Sequence, residues 1–179
     1  MDKTLKQYDA AMAECKEIFL KKLSDYGPSW RIFRVISLAD QIFIKANRIR
    51  TLEEGVESKV GEGIRGEWLG IVNYGIMALI QQELGFASSP DISNEKAEEL
   101  YNKYANEIRS LMIKKNHDYG EAWRDMRISS FTDLILVKLA RIQQIEDNKG
   151  VTQISEGIDS NIFDIVNYAL FAIIKIDEK

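Results

Sequence analysis

The feature that most constrains this fold is an internal duplication. Residues 21–34, KKLSDYGPSWRIFR, return as KKNHDYGEAWRDMR at residues 114–127, and the IVNY of residues 71–74 returns at residues 165–168. The aligned copies share about 26 identities over about 65 positions, far above chance for an internal comparison. We therefore expect two similar halves, and a residue kept in both copies, or changed in one, carries information about its role.

Hydrophobic residues recur at helical spacing along the chain, which predicts an all-α fold. The predicted helices span about residues 4–23, 37–52, 64–84, 94–115, 130–147 and 157–176, with Ser37 and Ser93 or Asn94 as N-caps. Three short helices bury little by themselves, so we expect two tandem three-helix repeats packed pseudo-symmetrically into one six-helix domain. The first repeat is placed at 1–86, the linker at 87–93 and the second repeat at 94–179.

Composition excludes several classes of protein. The 179 residues are 45% hydrophobic and 29% charged, which is typical of globular rather than disordered chains. The one cysteine, Cys15, excludes an internal disulfide framework, and no secretory signal pattern is present, so we expect a cytoplasmic protein. A net charge of -4 disfavours nucleic acid and acidic membranes as partners. A homo-oligomer stays open.

Basic and aromatic residues recur together after the first helix of each half. Arginine and lysine can hold phosphate oxygens, and neighbouring aromatic rings can stack on a base. The next helix repeats an aspartate, a lysine and an arginine on one side. The candidate site residues of the second copy are Lys115, Asp118, Tyr119, Trp123, Arg124, Arg127, Asp133, Lys138 and Arg141, matched in the first copy by Lys22, Asp25, Tyr26, Trp30, Arg31, Arg34, Asp40, Lys45 and Arg48.

The last helix of the second copy carries a polar stripe formed by Glu156, Asp159, Asp164 and Asn167. Buried carboxylates need cationic partners, and oxygen ligands beside a phosphate cradle suit Mg²⁺ or Mn²⁺. We therefore expect Glu156, Asp159 and Asp164 to bind the metal. The first copy keeps Glu62 and Asn73 but has Arg65 and Gly70 where the second has Asp159 and Asp164, and it gains Glu67 where the second has Asn161.

The order of these residues resembles a known family. Lys-x-x-Asp-Tyr-Gly, Trp-Arg, Asp-x4-Lys-x-x-Arg and Glu-x-x-Asp-x4-Asp-x-x-Asn-Tyr together resemble the first nucleotide modification associated domain, a small helical domain of bacteria and phages. The second copy fits throughout, whereas the first departs at Arg65 and Gly70. The resemblance implies a role in nucleotide or modified-base metabolism. The acid-bearing helices are also similar to all-α nucleoside triphosphate pyrophosphatases of the MazG kind.

Two functions follow as hypotheses. The first is metal-dependent hydrolysis or transfer at a nucleotide phosphate, with Asp133, Asp159, Asp164 and Glu156 as catalytic residues. In it, the basic and aromatic residues of the second copy bind the substrate together with Asn167. The alternative is a non-catalytic helical module that binds a nucleotide or a partner, with the duplicated charges forming an ion-pair network between halves.

Simpler structural roles compete for several of these residues. Asp-Tyr-Gly can be a helix terminator in which glycine supplies the left-handed cap. Trp30 and Trp123 can be core residues rather than platforms for a base. Binding of single-stranded nucleic acid through arginine and tryptophan is the least favoured function, because the chain is acidic.

Overall fold

The architecture is helical throughout the part that the computed structural model describes, residues 1–61, 63–154 and 156–179. That part contains six α-helices and no strand, and none of the six could cross a membrane. A 3₁₀ turn follows the first helix of each half, at Ser29–Ile32 and Ala122–Asp125. The all-α prediction is therefore confirmed. The helices are α1 Asp2–Tyr26, α2 Val35–Glu53, α3 Ile64–Leu84, α4 Asn94–Tyr119, α5 Ile128–Asp147 and α6 Ile158–Asp177.

The ends of the helices follow local chemistry. Helices α1 and α4 run through Asp-Tyr and end at Gly27 and Gly120, whose φ angles of 63° and 61° favour glycine. Ser93 caps α4 by accepting a hydrogen bond from the Lys96 amide at 3.1 Å. The N-cap predicted at Ser37 is wrong. Because the 3₁₀ turn ends at Ile32, α2 already begins at Val35.

The core is one continuous cluster to which both halves contribute. Its centre is the contact between α3 and α6, and α2 and α5 pack beside them. At Gly75 the two central helices approach so closely that a Cβ would overlap Cγ2 of Val166. The two repeats therefore share their apolar surface, and neither third helix is buried by its own half alone.

A reciprocal pair of buried hydrogen bonds ties the halves together. The Tyr8 hydroxyl of α1 donates to Asn167 Oδ1 of α6 at 2.8 Å, and the Tyr101 hydroxyl of α4 donates to Asn73 Oδ1 of α3 at 2.8 Å. Each asparagine also donates to a carbonyl of the first helix in its own half, Asn73 to Cys15 at 2.9 Å and Asn167 to Ile108 at 3.4 Å. Each third helix is thus bonded to the first helices of both halves.

Arg65 explains one departure of the first copy from the second. Its guanidinium binds both carboxylate oxygens of Glu14 on α1, each at 2.7 Å, and both oxygens of Asp177 on α6, at 2.7 and 2.9 Å. The hydrogen bonds from Arg65 lower the pKa of both carboxyl groups. The residue that replaces a predicted metal ligand therefore links α1, α3 and α6.

Replacing Tyr8 or Tyr101 by Phe should lower the free energy of unfolding by about 1–3 kcal/mol each, because a buried amide oxygen loses its donor. The two costs should be similar, since the two hydrogen bonds are equivalent. Urea denaturation monitored by circular dichroism measures them. The control is Tyr26→Phe, since Tyr26 is 71% exposed and should tolerate the change. A cost no larger than that of the control would contradict the role of the buried bonds.

Acid should weaken the linkage made by Arg65. Glu14 and Asp177 have lowered pKa values in the folded state, so their contribution to stability is present above their ordinary values of 4.5 and 3.8. It is lost as the pH falls through the folded values. Arg65→Ala should therefore flatten the fall in the free energy of unfolding below about pH 4.5, measured by urea denaturation at each pH. Lys6→Ala changes the net charge equally and should keep the wild-type slope; parallel curves for both variants would refute this assignment.

Candidate functional site: two charged clusters and two cavities

The second half contains a buried carboxylate held between two lysines. Asp164 lies on α6, and its side chain is 10% exposed. Lys115 Nζ of α4 lies 2.5 Å from Asp164 Oδ1, and Lys138 Nζ of α5 lies 2.7 Å from Oδ2. Burial makes an unpaired carboxylate costly, and two ammonium groups compensate for it. Asp164 therefore joins the three helices of its half.

The charges of this cluster act on its neighbours. Burial opposes the charged form of Lys115, but the hydrogen bond and the charge of Asp164 outweigh it and raise the Lys115 pKa, with a smaller contribution from Glu156. Burial, followed by the charge of Asp164, raises the pKa of Tyr168, whereas Arg141 opposes this increase. The cluster therefore keeps Lys115 cationic at neutral pH.

The first half places its acid one helical turn earlier. Gly70 stands where the second half has Asp164, and Glu67 stands where it has Asn161. Glu67 binds Lys45 at 3.2 Å and Arg48 at 2.7 Å. Lys45 and Arg48 are the counterparts of Lys138 and Arg141. Both halves thus pair the same lysine of the second helix, but with acids at different positions on the third helix.

Because the acid lies at different positions, a different cation lacks a carboxylate partner in each half. In the first half Glu67 pairs with the lysine and arginine of α2, and in the second half Asp164 pairs with the lysines of α4 and α5. The matched cations of the two clusters are Lys22 and Lys115, Lys45 and Lys138, and Arg48 and Arg141. Of these, Lys22 and Arg141 have no carboxylate partner among the residues that the structure describes. Each half therefore presents one exposed cation next to its charged cluster.

Each half has a cavity beside the position where its third helix lacks the acid of the other half, at Gly70 in the first half and at Asn161 in the second. The first, of about 520 Å³, lies between α1, its 3₁₀ turn and α3, and is lined by Lys22, Lys45 and Gly70 among apolar residues. The second, of about 1140 Å³, lies between α5 and the segment before α6. Charged residues lining it are Lys138, Arg141 and Glu156, and Asn161 lines it from α6.

The structure brings several predicted site residues together. Lys115, Lys138 and Asp164 form the ion cluster, and Lys138, Arg141 and Glu156 border the second cavity. Glu156 precedes α6 instead of lying on it, because the helix begins at Ile158 with Gly157 as its N-cap. The predicted polar stripe on α6 is therefore shorter than expected.

Other predicted site residues have structural partners. Asp133 is exposed and pairs with Arg50 at 2.6 Å. Asn167 is buried and bonded to Tyr8. Arg124 packs over the Trp123 ring with its guanidinium carbon 4.4 Å from the ring centroid, and it binds Thr4, Gln7 and Glu178.

The remaining predicted residues lie at the surface or in the core. Trp123 is buried and stacks on Phe171 with 4.3 Å between ring centroids, which is a core position. Asp118 and Tyr119 are exposed on the last turn of α4, and Arg127 is exposed just before α5. None of the three borders the second cavity.

The acids predicted to bind a metal ion are Glu156, Asp159 and Asp164. Among the described residues, no three histidine, cysteine or acidic side chains lie close enough to hold a metal ion. Both oxygens of Asp164 bind ammonium groups, and the charge of Asp159 acts on Tyr104 of α4. Metal binding by Glu156, Asp159 and Asp164 stays a prediction. Glu62, the first-half counterpart of Glu156, lies outside the described residues.

The sequence showed Glu67 in place of Asn161 and Gly70 in place of Asp164, but sequence reasoning missed which cations these acids pair with, and it missed the partners of the asparagines. The signal for the asparagines was present, since tyrosine recurs at 8 and 101 and asparagine at 73 and 167. No periodicity argument pairs them, because each tyrosine bonds to the asparagine of the opposite half. Gln81 was also missed. Its amide donates to the carbonyls of Arg31 and Phe33 at 2.8 and 2.6 Å and holds the first 3₁₀ turn.

Replacing Asp164 by Asn should lower the free energy of unfolding by roughly 2–3 kcal/mol, because two lysines, one of them largely buried, lose their counter-ion. Asp133→Asn removes the same charge from an exposed pair and should cost less than about 1 kcal/mol. Urea denaturation at pH 7 measures both. Equal costs for the two variants would show that the cluster does not stabilise the second half.

The comparison with protein families agrees with the duplication. The family model described as nucleotide modification associated domain 1 matches residues 22–82 and again residues 115–176. Each match begins at the last turns of the first helix of one half and ends on its third helix. The resemblance seen in the sequence and the tandem repeat are thereby confirmed. No curated protein and no solved structure matches the chain.

Proposed function

Since the chain belongs to the nucleotide modification associated domain 1 family, we propose that it binds a nucleotide or a related phosphate-bearing small molecule in the cavity of its second half. One observation carries the proposal: Lys138 and Arg141 border the same cavity, and Arg141 has no carboxylate partner in the described part of the chain. An arginine without a carboxylate partner beside a paired lysine suits phosphate, which guanidinium binds bidentately and ammonium as a point charge.

The pairing of Lys138 with Asp164 supports this role. The Asp164 carboxylate attracts the Lys138 ammonium group at 2.7 Å and holds it beside the cavity, and an ammonium group has three N–H donors, so donors are left for a phosphate oxygen. Arg141 follows one turn later on α5 and borders the cavity beside it. The two cations can therefore contact the same phosphate group or neighbouring phosphates of one chain.

The rest of the cavity offers surface for a base and sugar. Val137 and Ile145 of α5 face the segment that carries Val151 and Ile154, and Ile154 is 98% exposed. Covering such apolar surface stabilises a complex. Asn161 borders the cavity from α6, and its Nδ2 donates to the Gly157 carbonyl at 2.9 Å. The chain has one cysteine and so forms no internal disulfide, and we propose that it works in the reducing cytoplasm.

Hydrolysis or transfer at the phosphate is the second candidate, and the position of Glu156 favours it. Glu156 borders the cavity that holds the proposed phosphate ligands, and its charge also reaches Lys115. A Mg²⁺ or Mn²⁺ ion bridging Glu156 and phosphate oxygens would follow the preference of these ions for hard oxygen ligands. Asp164 would become a metal ligand if the substrate drew Lys138 away from it. Asp159 and Asp133 are the other acids that we assign to the reaction.

Replacing Arg141 by Ala should weaken binding of nucleoside mono-, di- or triphosphates by about tenfold or more, because a charge-assisted hydrogen bond to phosphate is lost. Isothermal titration calorimetry, with and without Mg²⁺, measures the dissociation constants. Arg109→Ala, which removes an arginine that pairs with Asp9 and does not border this cavity, is the control and should bind like the wild type. Absence of nucleotide binding, or equal affinities for both variants, would refute the proposal.

If the protein is catalytic, turnover should require Glu156. Glu156→Gln should abolish release of phosphate or pyrophosphate in the presence of Mg²⁺ or Mn²⁺ while nucleotide still binds, because the amide is a poor metal ligand. Malachite green detection of phosphate, after added pyrophosphatase, measures turnover. Binding without turnover in the wild type would leave the non-catalytic module as the function. Unchanged turnover in Glu156→Gln would remove that residue from the reaction.

A further inference from the structure

The cavity of the first half differs from its counterpart at two positions on the third helix. Gly70 stands where the second half has Asp164, and Met77 stands where it has Phe171. Gly70 and Met77 both border the cavity of about 520 Å³. This volume lies within the range of small-molecule sites, and such sites are mostly apolar with a few placed polar groups.

The first half has no carboxylate at the position of Asp164, so Lys22 has no partner there and Lys45 pairs with Glu67 instead. In the second half, Asp164 binds the lysines of both α4 and α5. In the first half, Lys22 has no carboxylate partner among the described residues, and Lys45 bonds at 3.2 Å to Glu67. An ammonium group has three donors, so Lys45 can accept a second anion. An acidic group on a ligand would take the place that the Asp164 carboxylate has in the other half.

The missing aromatic ring leaves the indole of Trp30 without a ring stacked flat on it, since its neighbour Phe19 is tilted by 47° with 6.1 Å between ring centroids. In the second half Phe171 lies flat on Trp123, with 4.3 Å between ring centroids and 4° between the planes. In the first half the counterpart of Phe171 is Met77, a flexible side chain that adapts to what lies beside it. Trp30 is buried and borders the cavity, and its Nε1–H, like that of Trp123, has no acceptor among the described residues. A planar ring on a ligand would stack on Trp30 as Phe171 does on Trp123.

We propose that this cavity is a second binding site, which takes a small aromatic molecule carrying one acidic group. The acidic group binds Lys22 and Lys45, and the ring lies against Trp30. The two positions that differ are seven residues apart on α3, so ring and acid are separated by about 10 Å along the helix. The proposal does not depend on the function assigned to the second half. A nucleoside monophosphate and an aromatic carboxylate share this chemistry, and the experiment distinguishes them.

The surroundings of Gly70 make the site testable by substitution. A Cβ at this position would lie 2.6 Å from Cε of Lys45, which is the far end of a flexible side chain and can move. Gly70→Asp should therefore fold and restore the arrangement of the second half, with its own carboxylate between Lys22 and Lys45. Met77→Phe should likewise supply the ring that the cavity lacks. Each variant places inside the protein one of the two groups that we assign to the ligand.

The experiment titrates the protein with adenosine monophosphate and with 4-phenylbutyrate, using adenosine and 4-phenylbutanol as uncharged counterparts, and follows tryptophan fluorescence and calorimetric heat. At least one anion should bind, and its uncharged counterpart should bind at least about tenfold more weakly. Gly70→Asp and Met77→Phe should each lower the affinity for the anion by at least about tenfold. Gln82→Glu adds a negative charge to the same helix outside the cavity and should leave the affinity unchanged.

The outcomes separate the two sites. Binding of the phosphate but not the carboxylate identifies a nucleotide-like ligand, and the reverse identifies an aromatic acid. Loss of binding in Arg141→Ala with no loss in Gly70→Asp would place the ligand in the second half and overturn the proposal. Absence of saturable binding, or equal affinities in Gly70→Asp, Met77→Phe and Gln82→Glu, would also overturn it. Circular dichroism melts of each variant confirm that loss of binding is not loss of fold.

Discussion

The architecture depends on the reciprocal hydrogen bonds between Tyr8 and Asn167 and between Tyr101 and Asn73. These groups are buried, so each one must be paired inside the protein or cost free energy. The pairing crosses from one half to the other, and each asparagine also holds a carbonyl of its own half. Separating the repeats would expose the apolar faces of α3 and α6 and break both hydrogen bonds. The duplication therefore builds one domain.

Within that shared frame, a difference at one helical turn of the third helix separates the charged clusters of the two halves. Moving the acid from position 164 to the equivalent of position 161 changes the ion pairs of the shared lysine and the cation that is left over. A carboxylate fills space as well as neutralising charge, so its position also decides where a cavity lies. The two binding sites that we propose therefore differ because the third helices of one duplicated scaffold differ at a few positions.

Much of the fold could be predicted because helix formation is local. Hydrophobic spacing located six helices, and the structure confirms the N-cap at Ser93 and the reading of Asp-Tyr-Gly as a helix terminator, although α1 and α4 run to Tyr26 and Tyr119, beyond the ends predicted at about 23 and 115. The roles of the site residues were harder to predict from the sequence. Arg124 and Asn167 look like ligands for a nucleotide in the sequence, but they bond to Thr4 and Tyr8 of α1, far away along the chain. A polar residue kept in both copies can serve a substrate or the packing of the repeats, and spacing does not distinguish the two.

The sequence by itself determined the class of fold, the duplication, the family and the loss of two aspartates from the first copy. All of these follow from residue order and local periodicity. Only the tertiary structure decided that Asp164 is held by Lys115 and Lys138, that Arg65 replaces a predicted ligand with a link between three helices, and that each half has its cavity on a different side of its lysine. The reason is physical: an ion pair depends on the distance between helices that are remote in sequence, and that distance is set by how the shared core packs.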